Sequence, residues 1–249
     1  MTSKICDTNF DEGIWHNNKW IESWSSGDTG FHMTFTDPFL DKNEADIFGG
    51  KTKSIFAPLC GKSLDMLWMY NKGHSVCGVD IAEQAVQEFF DENNIEKNID
   101  KVDNIGVLYK SKDERIKLYV ADLFDMLPSV CGQFDVIWDS KSLVAINVAD
   151  HNLYRDVLLG LMKPDSLYYL NTLDYDSKVW PGPPHSLPDE KVMELYGDRC
   201  TVNLMEEADA TQMFKKLPRD EDGTISDPTF RALSTSPYLY TRWYRIKLK

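Results

Sequence analysis

The chain has 249 residues, 42% hydrophobic and 12% aromatic, which is enough apolar side chain for one α/β unit with a packed core. Its formal charge of −13 repels phosphate backbones and so argues against a nucleic-acid partner. No run approaches the roughly 18 apolar residues of a membrane span, and the opening Met1-Thr2-Ser3-Lys4-Ile5-Cys6-Asp7 lacks the apolar centre of a signal peptide.

Residues 1–50 are rich in tryptophan (Trp15, Trp20, Trp24), end in Gly49-Gly50 and show no strand–helix alternation, so they read as a cap or lid. From about Thr52 the pattern changes. Lys53–Pro58 reads as a buried strand, Leu64–Lys72 as a helix with Leu64, Leu67 and Trp68 on one face, and Ser75–Asp80 as a second strand. Ala82–Asn93 is a helix whose apolar stripe is Ala85, Val86, Phe89 and Phe90. Arg115–Ala121 and Phe134–Asp139 are strands three and four, Asn152–Met162 a helix, Ser166–Leu173 strand five, and Asp189–Tyr196 a helix. Strands near Thr201–Met205 and Tyr238–Leu248 follow, the second after the irregular stretch Glu207–Pro237. Alternation of this kind predicts an α/β, doubly wound, mostly parallel seven-stranded sheet, with the last strand inserted antiparallel. One domain is expected, with 1–50 as lid and 51–249 as core.

Phe56-Ala57-Pro58-Leu59-Cys60-Gly61-Lys62-Ser63 ends like a phosphate-binding loop. A Walker loop needs glycine where Phe56 stands, however, and Pro58 carries no amide donor. The dinucleotide fingerprint fails as well, because Gly61 is the one glycine of the turn. Yet Asp80 ends the next strand about 20 residues on, the spacing at which a carboxylate reaches ribose hydroxyls. A ribose acid without a diphosphate cradle suggests an adenosine ligand that has no phosphates, namely S-adenosylmethionine. The competing reading of Asp80 is a cap for the helix that begins near Ala82. Asp122 after strand three and Asp139 at the end of strand four add acids at the carboxyl edge, where open α/β sheets bind ligands.

Five cysteines (Cys6, Cys60, Cys77, Cys131, Cys200) without a Cys-x-x-Cys pair imply no zinc framework and no disulfide set. His32, His74 and His185 have no metal spacing and read as structural. The setting expected is cytoplasmic and the site metal-free.

Several stretches resemble the thiopurine S-methyltransferase family, from about Trp15 to the end. They are Trp20-x-x-x-Trp24 with Gly27-Asp28-Thr29-Gly30-Phe31-His32, the Pro58–Ser63 loop, Gly73-His74-Ser75-Val76-x-Gly78-Val79-Asp80, Phe134-Asp135-x-Ile137-Trp138-Asp139, Leu143-Val144-Ala145-Ile146-Asn147 and Trp180-Pro181-Gly182-Pro183-Pro184. The resemblance implies a methyltransferase that uses S-adenosylmethionine, releases S-adenosylhomocysteine and works as a monomer on a small-molecule acceptor. It puts Trp20, Trp24 and Phe31 in a lid over the cofactor, where aromatic faces suit a sulfonium cation; the alternative for the two tryptophans is a helical packing stripe. It makes Leu59 and Gly61 part of the cofactor pocket, Asp80 the ribose ligand, Asp122 and Leu123 the adenine neighbours, and Asp139 a neighbour of the sulfonium. Phe31, Ser140 and Pro183 would meet the acceptor, and Asp139 and Arg231 are the weak candidates for a catalytic role.

Where the family carries arginine after Asp139, this chain has Ser140-Lys141-Ser142, and Arg231 only approximates a second family arginine. Loss of a rigid cationic fork predicts poor handling of anionic thiopurines and better handling of smaller or neutral thiols. Lys141 points away from the ligand unless a turn at the strand end brings it back. An aromatic thiol is largely ionised near neutrality, so the absence of an obvious His–Asp dyad fits a thiol acceptor better than an amine or hydroxyl. Halide or amine methylation and cofactor binding without turnover stay open as alternatives; a nicotinamide oxidoreductase is disfavoured by the single-glycine loop.

Overall fold

The computed structural model describes residues 14–211 and 223–249. Its centre is a sheet in the order β3-β4-β5-β2-β1-β6-β7-β9-β8. These strands are β1 Ser54–Ala57, β2 Ser75–Asp80, β3 Lys97–Val102, β4 Gly106–Ser111, β5 Ile116–Val120, β6 Phe134–Ser140, β7 Met162–Tyr175, β8 Cys200–Asp209 and β9 Leu239–Leu248. The five central strands, β5-β2-β1-β6-β7, pair in parallel. β9 runs antiparallel between β7 and β8, as expected for the last strand.

Among the described residues the sheet has nine strands rather than the seven expected from sequence. The extra pair is the antiparallel hairpin β3–β4, which extends the β5 edge. β3 reads Lys97-Asn98-Ile99-Asp100-Lys101-Val102 and is mostly exposed, so it carries no apolar run to announce it. Charged side chains on such a strand also keep other chains from pairing with its open edge.

Helices cover both faces. They are α1 Asn17–Ser26, α2 Pro38–Lys42, α3 Glu44–Phe48, α4 Leu64–Asn71, α5 Glu83–Glu92, α6 Pro128–Cys131, α7 His151–Gly160, α8 Asp189–Tyr196 and α9 Pro228–Leu233. Period-2 alternation divides β6 between the faces. Ile137 packs on the α7 side with Tyr154, Tyr168 and Tyr196. Trp138 packs on the opposite side with Phe39, Tyr169 and Trp243.

That second cluster divides the fifty residues read as a cap. Phe39, Leu40, Ile47 and Phe48 of α2 and α3 are buried in the core, and Phe39 stacks on Trp243 at 4.5 Å and 12°. Burying four such side chains contributes about 1.5–3 kcal/mol each, so residues 38–48 belong to the body of the fold. Of the cap, residues 14–35 are what lies over the carboxyl edge; residues 1–13 fall outside the described residues, as does 212–222 within the expected irregular stretch.

The candidate cofactor cleft

The sheet order reverses direction beside β1: the chain leaves β1 for β2 on one side and reaches β6 on the other. Ligands of open α/β sheets bind at such a switch point, above the carboxyl ends. There β1 turns through Pro58-Leu59-Cys60-Gly61, with Leu59 at φ 42° and Gly61 at φ 47°. Leu59 is held in this uncommon region by packing against the core and by two bonds that pin its neighbours. Cys60 N–H donates to the Val79 carbonyl at 2.9 Å, and the Ser142 hydroxyl donates to the Pro58 carbonyl at 2.7 Å. Gly61 has a second reason to be glycine, because a Cβ there would sit 3.0 Å from the Trp24 ring.

Asp80 ends β2 and is buried. Its Oδ2 accepts from Gly61 N–H at 2.7 Å and its Oδ1 from Ala82 N–H at 2.9 Å. Burial pushes its carboxyl above the usual range, against the backbone N–H groups of Ala82, Gly61 and Ile81 that favour the charge. Ala82 is itself the N-cap residue of α5, and that helix takes no side-chain cap. Asp80 therefore clamps the glycine turn to β2 rather than capping the helix. A carboxylate has about four lone-pair sites, and with backbone N–H groups of Ala82, Gly61 and Ile81 engaging this one, a single site is left for a ligand.

Asp122 precedes a 3-10 turn, Leu123–Asp125, and accepts from Phe124 N–H at 2.9 Å. Its other oxygen accepts from the Asn17 amide at 2.8 Å, which ties α1 to this edge. Trp15 and Asn147 tie down the same segment further back. Trp15 N–H donates to Asn147 Oδ1 at 2.9 Å, and the Asn147 amide donates back to the Trp15 carbonyl at 2.8 Å. Asn17 and the Trp15–Asn147 pair escaped the sequence reading as contacts, although Asn147 stands in one of the family-like stretches. Only the fold brings residues 105 and 132 positions apart together.

The aromatic side chains over the cleft form one cluster. Trp20 and Phe31 meet edge-on at 5.4 Å, as do Trp24 and Phe31 at 5.8 Å, and Trp15 lies tilted against Trp20 at 4.5 Å. Trp24 is buried against Ala82 and Ala85 at the start of α5, so its packing and its place beside the glycine turn are one feature. Phe31 is 42% exposed.

Asp139 is not brought to the cleft. Its side chain is wholly buried on the α7 face. Oδ1 accepts from Ser142 N–H at 2.8 Å and Leu143 N–H at 3.2 Å. Oδ2 accepts from the Tyr154 and Tyr168 hydroxyls, both at 2.7 Å, and Tyr168 shares a further bond with Tyr196 at 3.0 Å. All four lone-pair sites are spent. Burial raises the Asp139 carboxyl and the three tyrosine hydroxyls alike. The geometry gives Asp139 a structural task, holding the turn after β6 to α7, and leaves it no site for the sulfonium neighbour or the catalytic group that sequence suggested.

Arg231 is likewise turned away. Its Nε donates to the Ile225 carbonyl at 2.8 Å and its second amino group to the Ser226 carbonyl at 3.2 Å, so it stitches the start of α9. α9 does stand beside the segment after α1, since a Cβ at Gly30 would come within 4 Å of Asp227 and Phe230. Pro183 is buried in the loop after β7, its carbonyl accepting from the Trp180 indole at 2.9 Å. His74 accepts from Lys53 N–H at 3.1 Å and stacks on Phe48, and His185 bonds its own loop at Pro181, as structural histidines do.

The cleft thus has two carboxylates at neighbouring strand ends, one glycine turn without a diphosphate cradle, and an aromatic roof. These features fit an adenosine ligand that carries a positive charge, as S-adenosylmethionine does. The class is a methyltransferase-type α/β fold. It aligns with the Burkholderia thailandensis 1,6-didemethyltoxoflavin-N1-methyltransferase, solved with S-adenosylhomocysteine, at a TM-score of 0.56 over 93% of this chain and 87% of that one, with 12% identity. The N-methyltransferase of Bradyrhizobium japonicum, solved with the same ligand, aligns at 0.55 over 92% and 97%, with 10% identity.

Sequence comparison narrows the class. The description of thiopurine S-methyltransferase matches residues 15–224, and the chain belongs to that family. The thiopurine S-methyltransferase of Panthera leo is 37% identical over 194 residues, covering 77% of this chain and 79% of that protein. The Bos taurus enzyme is 37% identical over 195 residues with the same coverage.

Proposed function

We propose that the chain transfers a methyl group from S-adenosylmethionine to a small thiol. The observation that carries this is Asp80, which keeps an acceptor site at the end of β2, beside the single-glycine turn and Trp24. Family membership supports the same chemistry. In this reading Asp80 takes the ribose hydroxyls, Asp122 and Leu123 border the adenine, Leu59 and Gly61 form the floor, and Trp20, Trp24 and Phe31 face the sulfonium. Phe31, Ser140 and Pro183 border the acceptor.

The bound cofactor supplies an activated methyl on a sulfonium. The protein's part is alignment and exclusion of water: acceptor sulfur, methyl carbon and leaving sulfur held in line in a dry pocket. With the cofactor bound, Asp80, Leu59 and Gly61 would hold it so that the acceptor sulfur could take its methyl group while the leaving sulfur kept the electron pair of the broken bond. A thiolate needs no base, and with Asp139 saturated the cleft offers none at that position. Residues 14–35 act as the lid, fastened through Asn17–Asp122 and Trp15–Asn147. A cytoplasmic monomer that keeps clear of nucleic acid belongs to the same proposal, the net charge of −13 supporting the last point. Among the described residues no helix is long and apolar enough to cross a membrane.

The test is a panel of thiols, halides and amines incubated with methyl-labelled cofactor. Label is expected in thioethers. Tight binding of S-adenosylhomocysteine with no labelled product from any acceptor overturns the catalytic reading.

A further inference from the structure

We propose that Asn147 is a positioning residue for the cofactor: its side-chain amide latches the main chain at Trp15, keeps the aromatic roof closed and slows release of the bound adenosine ligand. This rests on the reading of the cleft as a cofactor site. A side-chain amide carries an acceptor oxygen and an NH2 donor on one planar group. At Asn147 both face the same residue. Its Oδ1 accepts from Trp15 N–H at 2.9 Å, and its Nδ2 donates to the Trp15 carbonyl at 2.8 Å. One side chain thus makes the pair of bonds that a neighbouring strand would make.

The two partners differ in how firmly they are held. Asn147 is half-buried and belongs to the loop after β6, which is bonded to every element around it. Asp139 takes the N–H groups of Ser142 and Leu143. The Ser142 hydroxyl reaches the Pro58 carbonyl of the glycine turn at 2.7 Å. The Val144 carbonyl accepts from His185 N–H at 2.6 Å, and the Ile146 carbonyl meets the His151 ring at 3.0 Å. Leu143 and Val144 are buried in the core. Trp15, by contrast, lies between exposed residues, Ile14 and His16. His16 caps α1 without a side-chain bond, and the next side-chain hold on the segment is the exposed Asn17–Asp122 bond. Asn147 therefore joins a fixed wall of the cleft to a lightly held segment.

What the latch holds in place is a row of rings. Trp15 lies on Trp20, Trp20 meets Phe31, and Phe31 meets Trp24. Trp24 in turn stands at the glycine turn, where a Cβ on Gly61 would be 3.0 Å from its ring. Fixing the main chain at Trp15 fixes one end of this row, and the other end borders the cofactor floor. Two neutral, part-buried hydrogen bonds are modest contributions, as suits a latch that opens to let product leave.

The experiment measures the dissociation rate of S-adenosylhomocysteine by stopped-flow tryptophan fluorescence, and kcat and KM for S-adenosylmethionine, in Asn147→Ala, Asn147→Asp, Trp15→Ala and the double variant Trp15→Ala/Asn147→Ala. Asn147→Ala should release S-adenosylhomocysteine about tenfold faster, the effect of two neutral bonds. KM for S-adenosylmethionine should rise in step, with kcat at saturating cofactor within about threefold of wild type. The ligand-free melting temperature should barely move, because the loop keeps its other anchors. Asn147→Asp retains the side chain's size but turns an oxygen toward the Trp15 carbonyl, so it should also release faster even if Asn147→Ala folds poorly. Trp15→Ala keeps the main-chain pair and removes the ring; adding Asn147→Ala to it should change release by less than about twofold, since both changes act through one row of contacts. Wild-type release from Asn147→Ala or Asn147→Asp, or a full further tenfold effect in the double variant, overturns the latch and leaves the cofactor site standing. Failure of the wild-type chain to bind S-adenosylhomocysteine overturns the underlying reading instead.

Discussion

Replacing Asp80 by asparagine separates its two tasks. The carboxylate accepts backbone N–H groups on both oxygens, among them Gly61 at 2.7 Å and Ala82 at 2.9 Å. Asparagine keeps one acceptor and sets an amide N–H against the other backbone donor, leaving a buried group unpaired at a cost of about 1–3 kcal/mol. For a chain of this size that lowers Tm by roughly 2–10 °C. One ribose contact is lost as well, because the substituted atom no longer accepts. A hydrogen bond to a charged group contributes about 1.5–3 kcal/mol, so the Kd for S-adenosylhomocysteine should rise about ten- to a hundredfold. Calorimetric titration gives the affinity and a thermal melt gives the stability. A melt that falls while Kd stays within about twofold of wild type would refute the ribose contact and leave Asp80 as a clamp for the glycine turn.

Asp139→Ala strands two tyrosine hydroxyls and two backbone N–H groups, and urea unfolding should show a loss of about 3–5 kcal/mol, the usual range for a broken buried charged network. Phe39→Ala removes the stack on Trp243 and the tilted contact with Trp138 and should cost about 3–5 kcal/mol in the same assay, which a removable cap residue would not. In Asp135 burial pushes the carboxyl up, but Lys163 at 2.8 Å and the Ser54 N–H and hydroxyl outweigh it and hold the value at about 2, below its ordinary 3.8. A depressed folded value contributes stability above the unfolded one and loses it as pH falls from near 4 toward 2, so Asp135→Asn should flatten that limb of the acid-unfolding curve, by about 1 kcal/mol or less for a partly exposed pair screened by solvent. Trypsin should cleave after Lys19 more slowly with S-adenosylhomocysteine present, and equal rates would count against residues 14–35 as a closing lid.

Much of the fold was legible in the residues because short apolar runs alternate with amphipathic helices. α8 has the boundaries read from sequence, and the apolar stripe of α5 is the buried face that its spacing implies. The Pro58–Ser63 turn and Asp80 could also be placed together, since one strand–turn–helix–strand unit carries both. The β3–β4 hairpin could not, because a strand whose stability comes from backbone pairing at a sheet edge needs no hydrophobic pattern. Nor could the split of the first fifty residues, where Phe39 and Trp24 look alike in sequence but one meets the core and the other the cleft. Asp80, Asp122 and Asp139 are the same residue type at three strand ends, and sequence treats them alike. Which way each carboxylate turns depends on donors far along the chain: Gly61 for the first, Asn17 for the second, and Tyr154 and Tyr168 for the third. Local patterning determines where strands end, but the tertiary arrangement of hydrogen-bond donors decides which acid is left with lone pairs to offer a ligand.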